Sequence, residues 1–134
     1  MFTGTSRSIN TRTSKEGSRV ATTQALSDRK CVPCEGGVPP LGPDEIQRLF
    51  RELDPSWKVV DHRRLENEVR FANFADALAF TNRVGAIAEQ EGHHPEILLG
   101  WGKAHVSLWT HAVHGLTEND FILASKIDDL VAGG

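Results

Sequence analysis

The sequence predicts an α+β domain: a four-stranded antiparallel sheet with helices packed on one face. The order of elements is helix-strand-strand-helix-strand-strand-helix. Two observations predict it. Apolar residues recur at helical spacing in three separate segments, and strand-like pairs with turn chemistry between them fill the gaps. Hairpins that alternate with helices favour an antiparallel sheet covered on one side.

The elements follow in order. Asp44 to Leu53 carries Ile46, Leu49, Phe50 and Leu53 at helical spacing, with Pro43 just before it. Trp57–Val60 and Leu65–Phe71 read as strands joined by the polar run Asp61-His62-Arg63-Arg64. Leu65, Asn67, Val69 and Phe71 share one parity and one face. Asn73 caps a long helix, with Asp76 at its third position. Its expected buried stripe is Phe74, Ala77, Leu78, Thr81, Val84, Ile87 and Ala88. Gly92 ends that helix. Ile97–Leu99 and Lys103–Thr110 form the second hairpin, turning near Gly100–Gly102, with Ala104, Val106 and Leu108 on one face and His105, Ser107, Trp109 and His111 on the other. Thr117 caps a last helix with Phe121, Ala124, Ile127 and Val131 at helical spacing.

The chain has 134 residues, 39% hydrophobic and 25% charged, which fits one globular domain. No apolar run approaches the roughly 20 residues that cross a bilayer, so no membrane association is expected. Charge is uneven. Residues 1–30 carry six bases and two acids, a net of +4; the whole chain is -3, so the remainder carries -7. An acidic body lacks the clustered Lys and Arg that phosphates need, and direct nucleic-acid binding is excluded. Residues 1–30 are rich in Ser, Thr and Arg and show no hydrophobic period. They read as a disordered tail or an organelle targeting segment. Residues 31–43 form a Pro/Gly-rich linker holding one CxxC, Cys31 and Cys34. Two sulfurs do not complete a tetrahedral zinc site, so these thiols read as structural or incidental, with a redox pair as the sharper alternative. The folded domain is expected over residues 44–132.

Chemistry concentrates between Glu89 and Asp120. His93 and His94 follow the long helix, and His111 ends the second strand of the hairpin after it. Imidazole, with an unperturbed pKa of roughly 6.5, accepts and donates protons near neutrality. Pro95 biases His94 toward extended backbone, so the adjacent rings point apart and take different jobs. Glu89, Glu96 and Asp120 supply carboxylates nearby. The pattern reads as metal-free acid–base catalysis by His93, His94 and His111. A metal centre on these histidines is disfavoured by the divergent pair and the absence of HxH or HxxxH spacing. Helix capping accounts equally for Asp120, solvation for Glu89, and surface positions for His62, His105 and His114.

The runs EQEGHHPE (89–96), KAHVSLWTH (103–111), GLTEND (115–120) and LASKID (123–128) together resemble the pterin-4a-carbinolamine dehydratase family. The resemblance spans roughly residues 43–131. It implies an α+β fold assembling as dimers or dimers of dimers, and dehydration of 4a-hydroxytetrahydropterin to quinonoid dihydropterin. It implies His93, His94 and His111 as the acid–base groups, with His94 and His111 nearest the chemistry, and Glu89 and Asp120 in support. It further implies Trp57, Pro95, Glu96 and Trp101 around the pterin pocket. The pterin is substrate, and no metal or organic cofactor is implied. Gly92 and Asn119 depart from acidic and Arg residues found in members of the family. The CVPCEGGVPPL leader resembles a branch that looks like RuBisCO assembly factors, which makes a scaffold or chaperone the rival reading and RuBisCO its partner. A cytoplasmic location is expected, carboxysome-associated in a bacterial autotroph or plastidial in a eukaryote.

Overall fold

The computed structural model describes residues 25–31 and 39–133. Cys34, residues 1–24 of the expected tail and most of the CxxC linker lie outside the described residues. The elements are α1 (Pro43–Phe50), β1 (Lys58–Val60), β2 (Arg64–Arg70), α2 (Phe74–Glu91), β3 (Glu96–Gly100), β4 (Lys103–Leu108) and α3 (Glu118–Gly133). The sheet order is β1-β2-β4-β3, antiparallel throughout. The fold is thus the expected α+β arrangement of two hairpins joined through β2 and β4.

Parity decides the layers. Leu65 and Asn67 on β2, and Ala104, Val106 and Leu108 on β4, are buried. The alternating residues Glu66, Glu68, His105 and Ser107 lie on the opposite face. There His105 Nε2 meets Glu66 Oε1 at 3.2 Å, and His105 does not line the cleft that His93, His94 and His111 border. The β3–β4 turn passes through Gly102 at φ 72°, a region that favours glycine. The Gly102 carbonyl accepts a 2.7 Å bond from the Phe71 N–H, which ties the hairpin tip to the end of β2.

Four details differ from expectation. On α2 the buried residues are Ala77, Phe80, Val84 and Ala88, whereas Phe74 and Leu78 are 43% and 40% exposed. Phe80 packs at the end of β2 instead, its ring 5.2 Å from that of Phe71. On α3, Val131 lies on the exposed side of the last turn. Trp57, expected at a ligand pocket, is buried in the core; its Nε1 donates to Asp128 Oδ1 on α3 at 2.7 Å. The same carboxylate accepts from the Asp54 N–H at 2.9 Å, so α3 pins the approach to β1. Burial pushes the Asp128 carboxyl above its ordinary range, while the N–H of Ser56 holds Asp54 below its own.

Fourth, the domain begins before residue 44. Leu26, in a single 3-10 turn (Leu26–Asp28), is 1% exposed and belongs to the core. One turn carries no readable period, so composition alone assigned it to the tail. The Leu41 N–H donates to the Leu116 carbonyl at 2.8 Å, so the end of the linker is also fixed to the domain.

Candidate active site

Three local structures bring the site together. The first is the C-terminus of α2. Gly92 adopts a left-handed conformation (φ 67°, ψ 25°). Its N–H bonds to the Glu89 carbonyl, and the His93 N–H bonds to the Ala88 carbonyl at 3.2 Å. This pair of bonds is a Schellman motif, and glycine suits its left-handed position. The motif turns the chain sharply, so His93 points inward and His94 outward.

The second is the N-terminus of α3. Asp120, three residues after Thr117, is fully buried. Its Oδ2 accepts from the Thr117 N–H at 2.9 Å, half of the expected capping box. The same Oδ2 accepts from the Thr110 hydroxyl at 2.9 Å, and the Thr110 and Thr117 hydroxyls are 2.8 Å apart. The other oxygen, Oδ1, lies 2.6 Å from His93 Nε2. Capping and imidazole orientation, which compete as readings of the sequence, coexist on one carboxylate.

The third is the segment after β4. The strand ends at Leu108, and His111 opens a 3-10 turn (His111–Val113) rather than closing a strand. Thr110 bridges Gly115, closing this loop. The His111 ring packs on Trp109, centroids 4.6 Å apart and tilted by 35°. Its ring nitrogens have no hydrogen-bond partner among the described residues. His114 follows in a left-handed position on the exposed side of the loop.

These pieces border one open cleft of about 570 Å³. His93, His94, His111 and Glu89 all line it, with Asp120 immediately behind His93. His94 Nε2 pairs with Glu89 Oε2 at 2.5 Å. Trp57, Pro95, Glu96 and Trp101 do not line the cleft. Trp57 is in the core. Trp101 occupies the β3–β4 turn and is 75% exposed, because a two-residue hairpin loop leaves its side chain outside the sheet. Glu96 starts β3 on its exposed side.

Sequence reasoning missed Thr110 and Glu91 on the cleft wall, and it named Asn119 only as a departure from the family pattern and Cys31 only as a linker thiol. For Thr110 a signal existed: it shares parity with Ala104, Val106 and Leu108, and is 3% exposed. Cys31 sits there because the 3-10 turn at Leu26 carries the chain across α3. Among the described residues no group of three or more His, Cys, Asp or Glu side chains is placed to hold a metal ion. Nor is any helix long and apolar enough to cross a membrane.

The arrangement offers one imidazole held against a buried carboxylate, one against an exposed carboxylate, and one with unengaged nitrogens. All face a concave site, as paired proton transfers require.

Comparison with known proteins points to one family. A family model described as "Pterin 4 alpha carbinolamine dehydratase" matches residues 39–130. A protein of Rubrobacter xylanophilus named "Putative pterin-4-alpha-carbinolamine dehydratase" is 52% identical over 105 residues, covering 78% of this chain and 97% of the relative. The crystal structure of a transcriptional coactivator/pterin dehydratase from Brucella melitensis superposes with a TM-score of 0.64 at 32% identity. That match covers 68% of this chain and 97% of the other. A pterin dehydratase-like protein described as a RuBisCO assembly factor in the alpha-carboxysome gives a TM-score of 0.48 at 25% identity, covering 56% and 88%.

Proposed function

This chain belongs to the pterin 4 alpha carbinolamine dehydratase family, and from that premise we propose that it dehydrates 4a-hydroxytetrahydropterin to quinonoid dihydropterin by histidine acid–base catalysis. The observation that carries the reading is the convergence of His93, His94 and His111 on one cleft.

The chemistry needs two proton transfers. A base takes the proton on N5, and the N–H electron pair becomes the C4a=N5 double bond. The C4a–O bond breaks as an acid protonates the departing hydroxyl, and water leaves. His94 and His111 are assigned as the pair nearest these transfers, because both rings are accessible from the cleft. Glu89 orients His94, and Asp120 orients His93 from behind. The proposed reaction uses no metal or organic cofactor. The pterin is the substrate, seated in the cleft without Trp57 or Trp101.

Self-association belongs to the same proposal. Phe74 and Leu78 on α2, and Leu98 and Trp101 on the second hairpin, expose apolar surface that a second copy would cover. Light scattering of the purified chain tests this directly. The RuBisCO scaffold reading rests on the leader opened by Cys31 and on Gly92, both of which border the cleft without supplying an acid–base group.

The deciding experiment is a dehydratase assay on 4a-hydroxytetrahydropterin with the wild type, His94→Ala and His111→Ala. Turnover by the wild type and its loss in both variants is the expected result. A wild-type rate no faster than the spontaneous reaction at saturating substrate sinks the proposal.

A further inference from the structure

The cleft has a wall that the catalytic histidines do not explain. Cys31 opens the CVPC leader, yet it lines the cleft beside the end of α2. The segment Ala25–Cys31 reaches that position through at least five ties, one of them from Cys31 Sγ to the Asn119 carbonyl at 3.6 Å. Leu26 is buried in the core. The Ser27 carbonyl accepts from Lys126 Nζ at 2.7 Å. Arg29 pairs with Glu118 at 2.9 Å. Finally, the Cys31 N–H donates to Glu91 Oε1 at 2.8 Å.

Glu91 is the notable partner. It occupies the last turn of α2, two residues before His93, and its side chain is only 6% exposed. Its second oxygen faces Lys126 Nζ at 3.8 Å. A carboxylate this buried is tolerated when hydrogen-bonded and paired, and both partners here come from outside its own helix. Glu91 therefore couples the strap, α3 and the histidine corner at a single point.

Resting on the dehydratase reading above, we propose that Cys31, at the end of the strap Ala25–Cys31, is a substrate-binding wall of the pterin cleft, and that Glu91 is the positioning residue that sets it there. The strap contributes affinity rather than proton transfer. His93 and His94 keep their own carboxylates whether or not the strap is seated.

The test uses the full chain carrying Cys34→Ser, so that Cys31 is the one thiol. Iodoacetamide labelling of Cys31 is followed by mass spectrometry under argon, with and without 7,8-dihydropterin. Bound pterin is expected to slow labelling by about tenfold or more, since ligand clefts cover most of a bound ligand's surface. Glu91→Ala is expected to raise KM by about tenfold and leave kcat within about twofold, because the hydrogen bond that sets the Cys31 backbone is lost while the other ties of the strap and the acid–base groups remain. Glu91→Gln keeps an acceptor for the Cys31 N–H and is expected to restore KM most of the way.

Wild-type turnover with no protection of Cys31 overturns the strap while leaving the dehydratase reading intact. Protection without turnover supports the strap and overturns the dehydratase reading. Neither protection nor turnover overturns both. If Glu91→Ala does not fold, the labelling result in the Cys34→Ser chain decides alone.

Discussion

The molecule holds two histidine–carboxylate pairs of nearly equal length in opposite surroundings. His93 meets Asp120 at 2.6 Å, with side chains 12% and 0% exposed. His94 meets Glu89 at 2.5 Å, with side chains 60% and 79% exposed. Distance does not distinguish them; solvent does. Screening leaves an exposed pair worth about 0–1 kcal/mol, whereas removing one partner of a buried pair strands an uncompensated polar group. The inner pair is therefore part of the fold as well as the site. The outer pair is free to serve chemistry, because little stability depends on it.

The sharpest way to break this comparison is at the inner carboxylate. Asp120→Ala removes the partner of His93, the acceptor of the Thr117 N–H and the acceptor of the Thr110 hydroxyl in one step. Loss of a buried, multiply bonded carboxylate is expected to cost about 3–5 kcal/mol. The matching change on the outer pair, Glu89→Ala, is expected to cost less than about 1 kcal/mol. Urea denaturation of both variants measures the contrast. Equal losses would mean that burial does not separate the two pairs.

Activity is expected to rank the other way. His94→Ala and His111→Ala leave stability almost unchanged, since both rings lie on the surface side of the cleft. Each is expected to reduce kcat/KM by about 10²–10⁴-fold, the usual contribution of a general acid or base. Glu89→Gln, which keeps the shape and loses the charge, is expected to fall only about tenfold, as orienting groups do when the reacting imidazole remains. Initial rates on 4a-hydroxytetrahydropterin check the ranking. A Glu89→Gln loss as deep as that of His94→Ala would make the carboxylate itself a proton carrier.

The same contrast explains what was legible in the chain. The sheet was readable because alternation on β2 and β4 reflects one dry face, and parity is insensitive to the rest of the protein. The two ends of α2 were readable because Asn73, whose side chain accepts from the Asp76 N–H at 2.8 Å, and Gly92 act within one turn of themselves. The opposed directions of His93 and His94 followed from local backbone for the same reason. Features set by distant partners were not readable. Trp57 answers to Asp128, 71 residues away, so its indole went to the core rather than to a ligand. Cys31 answers to Glu91 across 60 residues. On α2, Phe74 and Phe80 both fit a helical stripe; only the end of β2, with Phe71, selects Phe80. His111 was placed at a strand end because its run continues the alternation of β4, yet the Thr110–Gly115 bridge ends the strand early and turns His111 into the cleft.

A third carboxylate sharpens the comparison by lying between the extremes. Asp128 is half-buried, and burial raises its pKa above the ordinary 3.8 despite bonds from Trp57 and Asp54. The folded protein thus holds this proton more tightly than the unfolded chain does. As pH rises from 3.8 to the raised folded-state value, stability falls, and above that value no further change comes from this group. Asp54, lowered from 3.8, acts oppositely: its contribution is present above 3.8 and fades as pH drops below it. Asp128→Asn is neutral in both states and lacks the fall above 3.8. It keeps an acceptor for the Trp57 indole while losing one for the Asp54 N–H, which adds an offset that does not vary with pH. Urea denaturation of wild type and Asp128→Asn near pH 3.8 and near neutrality is expected to show the wild type losing ground to the variant as pH rises. The change is expected to stay within about 1 kcal/mol, because partial exposure screens the charge. A gap that does not move with pH would mean that the indole and Asp54 bonds fully offset burial at Asp128. Asp128 would then belong with the outer pair, whose charge solvent already absorbs.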